Sequence, residues 1–295
     1  MSNGTSAPVE ISAQAVAQLR EKTGLGLMQC KKALTETAGD IEAAIEFLRK
    51  QGAAVAAKRS DRETKEGKIV FGREGSTVSA VEINCETDFV ASSDDFIAFA
   101  AKTAKAVALG NPADLTAVAA LPLDGTTLAE VNTAVIAKIG EKISIRRFAV
   151  ETSDAGSVIE TYSHLGGKIG VLIKLGFEGT PSDTATLTTL ARDLAMQVAA
   201  SAPLSIDPSG ISAATVEKER EIARELTMKE GKTGDMLERI VEGKLNKFYK
   251  ESCLLQQIFV KDNKTPIEKH LAASAKVIGV ENLRVVAFHR LQLGQ

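Results

Sequence analysis

Val81-Glu82-Ile83-Asn84-Cys85-Glu86-Thr87-Asp88-Phe89-Val90-Ala91-Ser92-Ser93-Asp94-Asp95-Phe96 changes its hydrophobic period part-way along. Val81, Ile83 and Cys85 alternate at period two, which predicts a strand. Asp94 or Asp95 is expected to open a helix that places Phe96, Ala100, Thr103, Ala104 and Val107 on one face. Strand and helix together fix the ends of Thr87 to Val90, so those residues are predicted to form a tight, rigid connection. Asp88 beside Phe89 admits two outcomes. Asp88 caps a turn while Phe89 enters the core, or the pair is a preformed probe, an aromatic wedge with a carboxylate at its side. The residues alone leave both open.

Upstream, Ile69-Val70-Phe71 and a turn at Gly72 to Ser76 complete a hairpin with the Val81 strand. Before it, three helices are predicted. The first is capped by Ser12 and carries Val16 and Leu19; the second follows Gly24 and Gly26 with Met28, Cys30 and Leu34. The third is capped by Asp40, carries Ile41, Ala44, Ile45 and Leu48, and is expected to stop at Gly52. Ala53 to Glu66 is small and charged without an apolar period, a linker or a solvated helical extension.

Downstream the plan returns: Val158 to Tyr162, a Gly166-Gly167 turn, Ile169 to Leu175, then a helix with Leu187, Leu190, Ala191, Leu194 and Val198. Thr127 and Glu130 form a capping-box pattern between the two hairpin-plus-helix units. Ile211 to Ser252 has a narrow apolar stripe in a strongly charged setting, as in a projecting helical hairpin. Thr265-Pro266-Ile267-Glu268 predicts a helix start with Thr265 as cap, and Leu283 to Phe288 a last strand. The expected fold class is α+β, divided as residues 1–58, 59–150, 151–208, the helical arm 209–252, and 253–295.

The 295 residues carry 36 basic and 38 acidic side chains, a net charge of -2 that offers no long-range attraction to nucleic acid or anionic lipid. There is no Trp, only 4 % of residues are aromatic, and no basic run is interleaved with aromatics, so base stacking is not expected. Cys30, Cys85 and Cys253 are too few and too scattered for a disulfide framework or a zinc site, and suit a reducing, cytoplasmic compartment. No secretory signal or membrane span is expected.

Gly231-Lys232-Thr233 ends like a phosphate loop, but Leu226 stands where its first glycine is required, so a plain inter-helix turn is expected. Gln29 likewise breaks a dinucleotide fingerprint after Gly24 and Gly26. His164, His270 and His289 lack ligand spacing, and no nucleophile elbow is present. Neither enzymatic chemistry nor a metal or cofactor is expected. Arg146-Arg147 is expected to be a salt-bridge partner or strand end.

Asn84-Cys85-Glu86-Thr87-Asp88-Phe89-Val90, Cys30-Lys31-Lys32-Ala33-Leu34, Gly140-Glu141-Lys142-Ile143 with Arg146-Arg147-Phe148, Tyr162-Ser163-His164, Ala195-Met196-Gln197-Val198 and Gly243-Lys244-Leu245-Asn246-Lys247-Phe248 together resemble the bacterial translation elongation factor Ts family. The resemblance runs over nearly the whole chain. It implies a ubiquitin-associated-like three-helix module, a two-subdomain α+β core and an inserted helical hairpin used for self-association in some members. It implies guanine nucleotide exchange on elongation factor Tu, with Thr87, Asp88, Phe89 and Val90 disturbing the Mg²⁺ site of that GTPase. His164, Gln197, Leu19 and Met28 are further expected contacts. Some members continue with a C-terminal helix that also grips the GTPase, whereas this chain stops at Gly294-Gln295 just after the terminal strand, so that contact is left open. The competing expectation is a ribosome- or nucleic-acid-associated structural protein without exchange activity, whose binding would fall steeply with salt.

Overall fold

The computed structural model describes residues 11–295, so the beginning of the first expected domain lies outside the described residues. Helices α1 (Ala13–Thr23), α2 (Leu27–Glu36) and α3 (Ile41–Lys58) come first. They enclose Val16, Leu19, Cys30, Ala33, Leu34, Ala44 and Leu48. The side chains of Ser12 and Asp40 accept from the Ala15 and Ala43 N–H groups, and so cap α1 and α3 as expected.

Strands β1 (Glu66–Glu74) and β2 (Thr77–Cys85) follow, then the single turn α4 (Asp88–Ala91) and the long α5 (Asp94–Gly110). After α6 (Leu115–Ala120), the short pair β3 (Pro122–Leu123) and β4 (Thr126–Thr127) leads into α7 (Leu128–Ile139), which the Thr127/Glu130 capping box opens. β5 (Ser144–Thr152) joins the first sheet in the order β1-β2-β5. β6 (Ser157–His164), β7 (Ile169–Glu178), α8 (Thr184–Ser201), α9 (Ala213–Lys229), α10 (Gly234–Ser252), α11 (Ile267–Ile278) and β8 (Glu281–Gln292) complete the chain, with a second sheet ordered β6-β7-β8. The fold is α+β.

The chain separates into two compact units. One comprises the helices and strands up to Gly72 and Val81–Phe148; the other comprises Arg73–Ala80 and Ala149–Leu293. In the second, β7 pairs antiparallel with β6 and with β8. Its residues Val171, Ile173, Leu175 and Phe177, two apart, meet Leu187, Leu190, Ala191, Leu194 and Val198 of α8. Period two on the strand and period 3.6 on the helix thus face one core.

The arm is thin. Only Ala223, Val241 and Leu245, with Leu237 against them, form its seam. The flanking pairs Arg224–Glu238 (2.8 Å) and Lys244–Glu230 (3.4 Å) are largely exposed, and such pairs contribute about 0–1 kcal/mol each.

Three local expectations need correction. α3 does not stop at Gly52 but runs on to Lys58, because Gly52 is buried where a Cβ would lie 3.2 Å from that of Ala137 in α7. That glycine serves packing and not termination. Gly72 belongs to β1, and a Cβ there would meet the Ala104 carbonyl oxygen at 2.2 Å; the turn itself sits at Gly75, whose φ is +55°. α5 opens at Asp94 as expected, with Ser93 as its cap, accepting from the Phe96 N–H at 3.4 Å. The cap position of α11 is Pro266, because the Thr265 N–H is taken by Asp262 at 3.0 Å and the Thr265 carbonyl by the Phe259 N–H at 2.9 Å.

Gly72 and Gly75 therefore differ in kind. Gly72→Ala forces strand and helix apart and is expected to destabilise the protein by about 1–3 kcal/mol or more. Gly75→Ala meets nothing within 4 Å and carries only the left-handed backbone cost of roughly 1 kcal/mol. Urea denaturation of the two variants checks the order.

Candidate functional site

β2 ends at Cys85, which is fully buried. Its thiol donates to the Thr87 carbonyl at 3.1 Å. Burial, reinforced by the nearby Glu141 carboxylate, pushes this thiol up to about 12, so it stays protonated at neutral pH and acts as a donor, not a nucleophile.

Thr87 is extended (φ −128°, ψ 156°) and caps α4. Its hydroxyl accepts from the Val90 N–H at 3.3 Å and donates to Glu141 Oε1 at 2.8 Å. The second Glu141 oxygen accepts from the N–H groups of Thr87 (3.0 Å) and Glu86 (3.2 Å). At the far end, the Ser93 hydroxyl donates to the Val90 carbonyl at 2.8 Å while capping α5. One helical turn is thus bracketed by two caps: Thr87 begins it and Ser93 begins the helix after it.

The inward residue of the turn is Ala91, 5 % exposed; Phe89 is 84 % exposed and Asp88 stands exposed beside it. A four-residue turn has one inward position, and here the smallest side chain holds it. Phe89 is not a core residue. Burying a Phe is worth about 1.5–3 kcal/mol, and this turn forgoes that contribution while being held rigidly.

Beneath the turn, Glu86 binds Arg59 Nη1 at 3.0 Å, Arg62 Nη1 at 2.9 Å and the Lys142 N–H at 2.7 Å. Lys142 Nζ also donates to the Arg62 carbonyl at 2.9 Å. Arg59 and Arg62 lie on the connector after α3, which sequence alone had described as solvated. Burial opposes ionisation of Glu86, yet the Lys142 N–H and the Arg62 and Arg59 guanidiniums outweigh it and hold its carboxyl below the usual carboxylate range.

The other expected contacts divide by burial. Met28 is 72 % exposed at the start of α2, next to Leu27 at 53 %, whereas Leu19 is fully buried in the three-helix core. Leu19, enclosed in that core, lies beneath this surface in the free protein. Leu27 was missed; the only signal for it was an apolar pair directly after Gly26. In the second unit, His164 is exposed, with Nδ1 3.2 Å from the Tyr162 hydroxyl. Gln197 is fully buried: it donates to Gln257 (3.1 Å) and the Ile258 carbonyl (3.2 Å) and accepts from the Val260 N–H (2.8 Å). It ties α8 to the segment after the arm, its amide engaged within the chain.

Arg147 binds buried Glu82 at 2.7 Å, the salt-bridge role expected for that basic pair. Gly231 to Gly234 forms the turn between α9 and α10. A groove of about 900 Å³ between α1, α3 and α7 is lined by Leu48, Gly52 and Val131. Its charged groups are engaged in pairs, Arg49 with Glu130 (2.9 Å) and Lys138 with Asp95 (2.6 Å). Among the described residues no cluster of His, Cys, Asp or Glu is placed to hold a metal ion, and no helix is long and apolar enough to cross a membrane.

A family model described as Elongation factor TS matches residues 86–295. The chain is 42 % identical to the elongation factor Ts of Clostridium kluyveri over 290 residues, covering 97 % of this chain and 93 % of that protein. It is 42 % identical to that of Chloroherpeton thalassium (97 % and 99 %) and 43 % identical to that of Syntrophotalea carbinolica (97 % and 94 %).

Two stability outcomes follow from this geometry. Phe89→Ala is expected to change the unfolding free energy by less than about 0.5 kcal/mol, whereas Phe96→Ala, at a fully buried position, costs about 3–5 kcal/mol. Thermal melts of the two variants check this. Because the Glu86 carboxyl is lowered in the folded state, its contribution is complete above its ordinary pKa of about 4.3 and disappears as pH falls through the lower folded value. Glu86→Gln should therefore cost about 1–3 kcal/mol at pH 7 and flatten the acid limb of the stability–pH profile.

Proposed function

This chain belongs to the elongation factor Ts family, and on that premise we propose that it is a guanine nucleotide exchange factor for elongation factor Tu that works through its Thr87–Val90 turn. The observation that carries the proposal is Phe89, 84 % exposed on a turn capped at both ends. A large apolar ring held rigidly in water is a surface prepared for burial in a partner. Asp88 brings a carboxylate to its side.

Mg²⁺ requires near-ideal octahedral geometry and bridges a GTPase to its nucleotide phosphates. An aromatic wedge with an anionic neighbour, entering near that ion, displaces its ligands and repels phosphate oxygens, so GDP leaves faster. Linkage then requires that returning nucleotide expel the factor by the same coupling free energy. No nucleophile or general base is involved, and the factor is unchanged by the cycle.

Leu27 and Met28, exposed together on α2, supply a second apolar contact, so the three-helix module acts as a docking element. The arm exposes Ile222, Leu226, Met228 and Met236; we assign it to self-association and not to exchange.

Release of fluorescent GDP from purified elongation factor Tu tests the mechanism. Phe89→Ala and Asp88→Ala should each slow release by roughly ten-fold or more, with the double variant less than multiplicative, because both act through one turn on one ion site. High external Mg²⁺ should blunt release by the parent protein. Undiminished release by well-folded Phe89→Ala would refute the wedge.

A further inference from the structure

Resting on the wedge reading, we propose that Glu86 and Glu141 form a two-carboxylate clamp that positions the Thr87–Val90 turn and ties it to the connector from the three-helix module. Neither residue reaches outward like Phe89; both are partly buried and spend their oxygens on donors of this chain. Glu141 takes the Glu86 and Thr87 N–H groups and the Thr87 hydroxyl. These donors lie where β2 has ended and α4 has only begun, so neither sheet nor helix can satisfy the two amides. An anionic acceptor at that point fixes the direction in which the turn leaves the strand.

Glu86 faces the other way. Its carboxylate gathers Arg59 and Arg62 of the connector and the Lys142 N–H, one residue beyond Glu141. Lys142 in turn holds the Arg62 carbonyl with its ammonium. The adjacent residues Glu86-Thr87 and Glu141-Lys142 therefore grip each other reciprocally: each pair supplies a carboxylate to a backbone N–H of the other. The connector is fastened to this double grip. Where the connector lies and how the wedge points are set by the same four residues, so a displacement at the docking module reaches the wedge through Glu86. These are positioning residues; the contact with the GTPase is made by Phe89.

The test compares parent, Glu141→Gln, Glu86→Gln and Phe89→Ala in GDP release from elongation factor Tu, titrating the factor, and follows deuterium uptake of each free protein. Glu141→Gln removes the charge and one acceptor: its carbonyl oxygen can still face the two backbone N–H groups, but its NH2 then meets the Thr87 hydroxyl that donated to the carboxylate. It should lower the release rate at saturating factor by roughly ten-fold while the half-saturating concentration moves less, and speed uptake across residues 86–90. Glu86→Gln should speed uptake there and also across residues 58–64. Where Glu141→Gln fails to fold, Thr87→Val, which removes the hydroxyl that donates to Glu141 and accepts from the Val90 N–H, takes its place. If Phe89→Ala slows release while Glu141→Gln leaves both release and uptake as in the parent, the clamp is overturned and the wedge stands. Slowed release with unchanged uptake would also overturn it, since Glu141 would then act by touching the partner. If Phe89→Ala releases GDP as well as the parent, the wedge reading falls, and the role of the clamp in exchange falls with it.

Discussion

Three donors, two of them backbone N–H groups, converge on the Glu141 carboxylate at the point where β2 gives way to α4. Charge-assisted hydrogen bonds of this kind are roughly twice as strong as neutral ones, and leaving a part-buried amide unpaired is costly. The carboxylate therefore does more than complete a hydrogen-bond inventory. It allows a chain to leave a fully buried strand residue, Cys85, and within four residues present a largely solvated aromatic, Phe89. Cys85, protonated because it is buried, contributes the donor that holds the Thr87 carbonyl from below.

The same economy of space recurs in the packing around the turn. α5 lies against β1 where Gly72 leaves room for the Ala104 carbonyl, and α3 lies against α7 where Gly52 meets Ala137. Close helix–strand and helix–helix approaches need residues without side chains, and each glycine is buried in its element instead of ending it. α5 is thereby held where its cap, Ser93, can bond the Val90 carbonyl.

Burial also sorts the residues expected from the sequence to meet a partner. Phe89, Asp88, Met28 and His164 are exposed and available to a partner, while Leu19 and Gln197 are enclosed. The enclosed ones have their own tasks. Leu19 fills the three-helix core, and Gln197, by bonding Gln257, Ile258 and Val260, restores the chain to α8 after the excursion of the arm. A buried amide with both ends satisfied specifies a register that an apolar side chain would leave open.

What the sequence determined by itself were the elements whose signal is local. The alternation of Val81, Ile83 and Cys85, the Thr127/Glu130 capping box, and the 3.6-residue period of Leu187 to Val198 each reflect interactions within a few residues, and the structure has them where the spacing places them. Period and capping could not say whether Gly52 and Gly72 were stops or close contacts, because the deciding atoms, in Ala137 and Ala104, lie far along the chain. Nor could they say whether Phe89 was core or surface. That was decided by Glu141, 54 residues from Thr87, and by Ala91 taking the single inward position of the turn. Exposure and hydrogen-bond pairing at a strand–helix junction depend on what the fold brings alongside, and only the tertiary structure supplies that.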